Sequence, residues 1–339
     1  MMASDHERQN SLVITTSIFT VLATIVVLAR TFVRAILIRK PGFDDYTVII
    51  AMLFSIAYLV EVFVGKANHI GFPSATLSSE NMISLLKNTL AIQITYYVCV
   101  STIKISILCM YLRFAVTRSF RVLCIGTIVF HMLFFIVCIV VTLSQCQPLH
   151  RMWDLTQTAR EDCINTTAFF YFTSGFNIVT DIWILVLPIK TLMGILRPRK
   201  EKIALVIIFG VGALATITSI IRLHTIYTYT LAEDLFKESI LVNVWSVLEI
   251  NIGIICASVP ALKPLFTPRA LREATDRNKR RTGYQYHSQE RSGFNSNGSK
   301  PGDTEQPYVM DRVGGQPDAK TIIEDASRGS GSEESILRT

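Results

Sequence analysis

The sequence has few charged residues and lacks the short motifs that mark common catalytic and metal sites. Charged residues make up 17% of the chain and hydrophobic residues 50%, whereas soluble domains carry about 25% charged residues. No HExxH, GxSxG or CxxC pattern occurs, and the six histidines are scattered along the chain. We therefore expect a protein that uses lipid as its solvent, and we expect neither catalysis nor a bound metal.

Long basic clusters of the kind that bind nucleic acid are also missing. The formal net charge is +7, but most of the lysines and arginines stand in short stretches between apolar runs. Such stretches orient membrane proteins in the bilayer. We therefore expect the lipid bilayer as the partner and exclude nucleic acid.

Seven apolar runs are each long enough to cross a bilayer, which takes about 20 residues in a helix. The runs are roughly Ser11–Ala29, Thr47–Val64, Thr89–Leu112, Val122–Ser144, Ala168–Ile189, Ile203–Ile221 and Ile240–Leu262. They predict an all-α membrane protein built as a bundle of seven transmembrane helices. We assign 1–10 to a short extracellular N-terminus, 11–265 to the transmembrane domain and 266–339 to a cytosolic tail. The tail is rich in Gly, Ser, Pro and charge, which predicts that most of it is disordered.

Basic residues fall mainly on one side of the seven runs. That side holds Arg30, Arg34, Arg39, Lys40, Arg113, Arg118, Arg121, Lys190, Arg197, Arg199, Lys200, Lys202 and the first basic residues of the tail. The other side holds Arg8, Lys66, Lys87, Arg151, Arg160 and Lys237. The positive-inside rule therefore places the N-terminus outside and the C-terminus in the cytosol.

Two cysteines and a glycosylation sequon lie together in the second outer loop. This side is oxidising and accessible to glycosylation. Cys146 and Cys163 can form a disulfide there, and two free thiols are the alternative. Asn165 begins the sequon Asn165-Thr166-Thr167, and its closeness to the membrane leaves its glycosylation open.

Two adjacent aspartates stand at the cytosolic start of the second run. Asp44 and Asp45 can accept hydrogen bonds from the free N–H groups of a helix start, and their charge suits the helix dipole. Three arginines at roughly helical spacing precede them and are the expected ionic partners: Arg30, Arg34 and Arg39. We predict a helix cap and an anchor for the first inner loop.

Ionisable residues inside the runs are costly and are functional candidates. Lys104 and Asp181 lie at similar depth and can pair, and Arg222 can pair with Glu249 or Glu61. One interpretation is that these pairs are structural clamps between helices. The other is a polar cavity that opens outward and holds a small amphipathic ligand, lined by Glu249, Arg222, Gln93, Tyr96, Tyr97 and Trp245, with Asn177 and Asn251 adding hydrogen-bonding groups. We interpret His131 as a packing residue.

Several motifs follow one another in the order found in a known family. They are RKPGFDDYTVIIAM in the first inner loop, KISILCMYLRF in the third run, CQPLHRMWD before Cys163, NIVTDIWILVLPI in the fifth run, SIIRL in the sixth and WSVLEINIGIICASVPALKPL in the seventh. This ordered set resembles the fungal rhodopsin-like integral membrane proteins over about residues 11–267. The family includes receptor-like proteins of plant-pathogenic fungi and membrane proteins encoded in secondary-metabolite gene clusters, such as that for satratoxin. The resemblance implies a seven-helix bundle and leaves the ligand open.

The resulting functional hypothesis is a receptor-like sensor of a small molecule or surface cue, with a possible link to secondary metabolism. Arg113 ends the third run at the inner face and is a candidate for coupling to a cytosolic partner such as a G protein. No lysine lies deep in the last run, so retinal is not expected. The alternative function is a transporter or export accessory for a small metabolite. We expect the plasma membrane rather than an endomembrane.

Overall fold

The computed structural model describes residues 2–39, 42–115, 117–155, 163–189 and 199–262. Within these ranges seven long helices follow one another: α1 (Met2–Phe32), α2 (Phe43–Ala67), α3 (Ser79–Phe114), α4 (Arg118–Leu143), α5 (Thr166–Val186), α6 (Arg199–Leu231) and α7 (Leu235–Leu262). Each contains a stretch that is long and apolar enough to cross a membrane. The predicted all-α bundle of seven membrane helices is thereby confirmed. The predicted disordered tail, 266–339, lies outside the described residues.

Three helices extend nine or ten residues beyond one end of their apolar runs. α1 begins at Met2, α3 begins at Ser79 and α6 continues to Leu231. A helix can extend into water beyond its apolar stretch because its backbone bonds are internal. Ser78 helps to fix the start of α3, because its side chain accepts a hydrogen bond from the backbone N–H of Asn81 at 3.2 Å.

The polar start of α1 is helical because it docks on neighbouring segments. Gln9 Nε2 donates to the carbonyl of Lys66 in the last turn of α2 at 3.3 Å and to that of Ile70, after the end of α2, at 3.2 Å. Arg8 forms an ion pair at 3.3 Å with Glu238 in the first turn of α7. Residues 2–10 therefore continue the helix α1, and their assignment to the outside of the membrane stays a prediction.

α3 and α7 are the most buried of the seven helices, and α4 is the least buried. α7 packs against α1, α2, α3 and α6, whereas α4 packs closely against α3. The largest apolar core lies among α1, α2, α3 and α7 and includes Leu12, Val48, Tyr58, Ile250 and Ile254. Many apolar side chains on the outer faces are exposed in the isolated chain, as expected where lipid replaces water.

The two ends of the bundle are chemically distinct. At one end Cys146 and Cys163 form the predicted disulfide, which connects the segment after α4 to the segment before α5. We call this the disulfide end. The opposite end holds Asp44 and Asp45 at the start of α2, and we call it the aspartate end.

Candidate functional site

Arg30 is the centre of an ionic cluster at the aspartate end. Its Nη2 lies 2.6 Å from Asp44 Oδ2 and its Nε lies 2.9 Å from Asp45 Oδ1. Its Nη1 donates to the backbone carbonyl of Ala257 at 2.6 Å. Arg30 is 1% exposed, and both aspartates are buried. One guanidinium therefore fastens the base of α1 to α2 and α7, as the planar five-donor geometry of arginine permits.

Two further arginines approach Asp44 at longer distances, Arg34, which was predicted as a partner, and Arg113, which was not. Arg34 Nη2 lies 3.7 Å from Asp44 Oδ2, and Arg113 Nη1 lies 3.5 Å from Asp44 Oδ1. Asp45 Oδ2 also accepts a hydrogen bond from the backbone N–H of Gly42 at 2.9 Å. Asp45 thus contributes to the predicted cap, whereas Asp44 connects arginines from α1 and α3 to α2.

The first intramembrane pair lies between α3 and α5. Lys104 Nζ is 3.0 Å from Asp181 Oδ1. The same ammonium donates to the Asn177 carbonyl at 2.9 Å, to the Asn177 side-chain oxygen and to Thr180 Oγ1 at 2.6 Å. The predicted partners Lys104 and Asp181 are therefore in contact, and further oxygens of α5 that were not predicted as partners also hold the lysine charge.

The second pair lies between α6 and α7. Arg222 Nε is 2.7 Å from Glu249 Oε2, although its N–H does not point at that oxygen, so the contact is an ion pair. The Arg222 guanidinium carbon lies 4.5 Å from the centre of the Tyr96 ring, a cation–π contact. Tyr96 Oη in turn donates to Glu249 at 3.1 Å.

Of the two carboxylates considered for Arg222, the structure selects Glu249. Glu61 instead accepts from a threonine hydroxyl on α3 at 2.6 Å.

Two neutral side chains join these pairs into a single network. Ser219 Oγ lies 2.8 Å from Asp181 Oδ2 and 2.9 Å from Glu249 Oε1. Asn177 Nδ2 donates to Glu249 Oε1, while Asn177 Oδ1 accepts from Lys104. We call Lys104, Asp181, Arg222 and Glu249, together with these two joining side chains, the four-charge network. It connects α3, α5, α6 and α7.

Charge balance explains why this network is tolerated in a membrane. Two cations face two carboxylates, so with all four groups ionised the formal charges sum to zero. Each charge has a partner within 3.0 Å and further polar contacts. A buried ion pair is tolerated when most of its remaining donors and acceptors are also satisfied. Among the described residues, the Nε–H of Arg222 is the buried donor of this network that has no hydrogen-bond partner.

The remaining predicted ligand residues lie around the network. Tyr97 packs edge-on against Tyr96 with ring centres 5.7 Å apart. Gln93 Oε1 accepts from Gln145 at 2.8 Å near the disulfide end. Trp245 is half-buried on α7. In the part of the chain that the structure describes, neither Gln93 nor Trp245 bonds to the network. Glu249 and Arg222, on which the predicted cavity was centred, form an ion pair with each other.

A cavity lies beside the network, between α3, α4 and α5. Its wall includes Tyr96, Tyr97, Ser101, His131 and Asn177. His131 thus belongs to a cavity wall as well as to the packing of α4. Three of the residues named for the predicted cavity line this one, namely Tyr96, Tyr97 and Asn177, whereas the contribution of α4 was not predicted.

Helical spacing could have predicted the two side chains that join the ion pairs, Ser219 and Asn177. Ser219 precedes Arg222 by three residues, so both lie on the same face of α6. Asn177 precedes Asp181 by four residues on α5 and shares its face in the same way. Among the described residues, no group of three or more His, Cys, Asp or Glu side chains could hold a metal ion.

Arg30→Met should lower the stability of the protein by about 3–5 kcal/mol, because it leaves Asp44 and Asp45 buried beside weaker partners. Arg39→Met is the matched control, since Arg39 carries the same charge on an exposed side chain nearby. Thermal unfolding of both variants in lipid nanodiscs measures the difference. Equal melting temperatures for the two variants would contradict a central role for Arg30.

Comparison with known proteins places the chain in a family. A family model described as the fungal rhodopsin domain matches residues 29–268. The chain is 24% identical over 262 residues to the polyenoic acids biosynthesis gene cluster protein Ba17b of Metarhizium anisopliae, covering 74% of this chain and 71% of that protein. It is 26% identical over 270 residues to a SAT4 family membrane protein of Emericella nidulans, covering 78% of this chain and 65% of the relative.

A third relative matches over a shorter segment. The chain is 29% identical over 97 residues to the receptor GIN3 of Arthrobotrys oligospora, and this match covers 28% of this chain and 24% of that receptor.

The family model covers most of the seven-helix region and agrees with the resemblance of the ordered motifs. This multi-pass membrane protein belongs to the fungal rhodopsin domain family.

Proposed function

We propose that the protein is a receptor-like membrane sensor of a small molecule. The observation that carries the proposal is the four-charge network, which connects four helices. It shares Asn177 with the cavity wall, and Tyr96 of that wall donates a hydrogen bond to Glu249. A molecule that competes for a hydrogen bond of Asn177 would alter the contacts of Glu249 and Lys104 together. A ligand can shift a conformational equilibrium in this way when it binds the two arrangements with different affinity.

The path from the network to the aspartate end runs along α7. Glu249 and Ala257 are eight residues apart, which is about 12 Å along a helix. Ala257 offers its carbonyl to Arg30, and Arg30 holds Asp44. In this proposal a movement of α7 changes the ionic cluster and the position of Arg113, where a cytosolic partner such as a G protein would bind.

The relatives support the same class of function. One of them is named a receptor and another is named for a polyenoic acid biosynthesis gene cluster. We extend these names to a proposed sensing role with a link to secondary metabolism, in the plasma membrane. The proposal includes no enzymatic step and no retinal.

A screen of neutral amphipathic metabolites against the purified full chain in nanodiscs should find compounds that raise its melting temperature. Ligand at 100 times its Kd stabilises a native protein by about 2.7 kcal/mol. Glu249→Gln should abolish the stabilisation because it removes the charge that Arg222 and Asn177 contact. Glu238→Gln is the matched control, since it lies on the same helix outside the network.

Two results would contradict parts of this proposal, one concerning sensing and one concerning coupling. If no compound stabilises the protein and Glu249→Gln only lowers its melting temperature, the network is a structural clamp. A ligand-dependent binding of G protein that persists in Arg113→Ala would show that coupling does not use this residue.

A transporter is the second candidate, and Ser219 is the observation that favours it. A hydroxyl has one hydrogen, yet Ser219 Oγ is within hydrogen-bond distance of both Asp181 and Glu249. A single proton held between the two carboxyl groups would satisfy both contacts. We therefore infer a route by which a proton could pass between α5 and α7, as a proton-coupled carrier requires.

Proton-coupled transport predicts substrate-dependent acidification of liposomes that contain the purified protein. Ser219→Ala should abolish this flux because it removes the hydroxyl between the carboxyl groups. Thr218→Ala is the control, since the Thr218 hydroxyl donates to the Ala215 carbonyl of its own helix. Absence of flux in the unmodified protein would exclude this candidate.

We propose that the disulfide end faces the outside and the aspartate end the cytosol. In fungal cells the protein should then carry a glycan at Asn165 that a glycosidase removes. Thr167→Ala should abolish the glycan while keeping the α5 cap, in which Asn165 Oδ1 accepts from the Ala168 N–H at 3.0 Å. An epitope on the C-terminus that external protease removes from intact cells would contradict this orientation.

A further inference from the structure

His131 is a buried polar side chain near the middle of α4, the least buried of the seven helices. The side chain is 4% exposed, and its Nε2 has no hydrogen-bond partner among the described residues. A buried polar atom without a partner carries a cost in free energy, and the lipid around α4 offers no replacement. His131 therefore marks a place where a further hydrogen-bonding group would be stabilising.

A second polar side chain of this kind lies on α3, against which α4 packs closely. Ser101 is 7% exposed, and its hydroxyl makes no hydrogen bond within the part of the chain that the structure describes. The neighbouring Thr102 differs, because its hydroxyl donates to the Val98 carbonyl of its own helix at 2.7 Å. A hydrogen-bonding group between α3 and α4 would thus be useful to both helices.

Ser101 and His131 line the same cavity, which lies between α3, α4 and α5. The volume of the cavity is about 20 Å³, and one water molecule needs at least about 10–15 Å³. Most of the remaining wall is apolar or aromatic and includes Phe134, Phe135 and Phe176. The cavity therefore has room for one water-sized group and for nothing larger.

Asn177 on α5 gives the cavity a third polar group. Its side-chain oxygen accepts from Lys104, and its amide nitrogen donates to Glu249. An amide nitrogen carries two hydrogens, so one of them is left for a further acceptor. A buried water molecule typically makes about three hydrogen bonds, and one side chain from each of three helices can supply them here.

The charges beside the cavity favour a neutral occupant. Lys104 and Asp181 balance one another, and so do Arg222 and Glu249. An ion in the cavity would add a charge without a counter-charge in a region of low dielectric constant. Water is neutral and can both donate and accept, so it can bond to a hydroxyl, an imidazole and an amide at the same time.

We propose that this cavity is a binding site for a single water molecule that bridges Ser101 on α3, His131 on α4 and Asn177 on α5. The other polar contact of an α4 side chain with α5 is a bond of 3.3 Å from Trp183 to Thr127 on the outer face. The water gives α4 a buried polar connection to the four-charge network through Asn177. The inference concerns water and is independent of the proposed sensing function.

Nuclear magnetic resonance of the full chain in nanodiscs tests the site directly. The histidine rings carry a heavy nitrogen isotope, and loss of one signal in His131→Gln identifies His131 among the six histidines. Magnetisation should pass from water to the His131 ring with the slow exchange of a bound molecule. His224 is the internal control, since its exposed side chain on α6 should report no bound water.

Substitutions at Ser101 distinguish a water molecule from the serine hydroxyl as the source of the transfer. The transfer should persist in Ser101→Ala, because His131 and Asn177 still hold the water. It should be lost in Ser101→Val, because the added methyl group occupies the cavity. Thr102→Val is the matched control on the same helix and should leave the transfer unchanged, since Thr102 does not line the cavity.

Thermal unfolding measures whether the polar groups share one bridge. Ser101→Ala should lower the melting temperature of the unmodified protein. The same substitution should have a smaller effect in His131→Phe, where the bridge to α4 is already broken, because contacts within one network are not additive.

Three outcomes would overturn the water site. Absence of transfer to His131 in the folded protein would show that no water is bound there. Loss of the transfer in Ser101→Ala, or its persistence in Ser101→Val, would place its source outside this cavity. Equal losses of melting temperature from Ser101→Ala in both backgrounds would show that Ser101 and His131 share no bridge.

Discussion

The need to pair every charge that lies within the bilayer governs the arrangement of this bundle. Lys104 and Asp181 bring α3 to α5, and Arg222 and Glu249 bring α6 to α7. The Ser219 hydroxyl joins the two pairs. Loss of any one charged member leaves another charge without compensation at a depth where water cannot replace it. Four helices are therefore held in one register by electrostatics, and apolar packing, which differs little from the lipid alternative, is secondary.

Sequence reasoning succeeded where the physical signal is local or strong. The seven membrane helices follow from long apolar runs, and the Lys104–Asp181 contact follows from matching depths in two such runs. The disulfide follows from two cysteines in one polar loop. These features depend on length, hydropathy and the scarcity of charge, which a single sequence displays directly.

The same reasoning was incomplete where several helices converge. Arg30 was one of three predicted partners of the aspartates, and the sequence did not rank it first because its contact with the Ala257 carbonyl on α7 depends on the tertiary fold. The helical conformation of the polar first turns of α1 was not evident from the sequence, because these turns contact the end of α2, the segment after it and the start of α7, all distant in the chain. The cavity beside His131 depends on rotation of α4 relative to α3 and α5, and helical periodicity does not specify this rotation.

Neutrality of the four-charge network has an electrical consequence. A voltage sensor works because a net charge moves through the transmembrane field, at about 2.3 kcal/mol per elementary charge per 100 mV. Two balanced ion pairs that move together transfer no net charge, so the membrane potential performs almost no work on them. The same residues that make the interior of this bundle strongly polar also leave it nearly insensitive to depolarisation. In the proposed sensing function the input is therefore chemical binding and not the membrane potential.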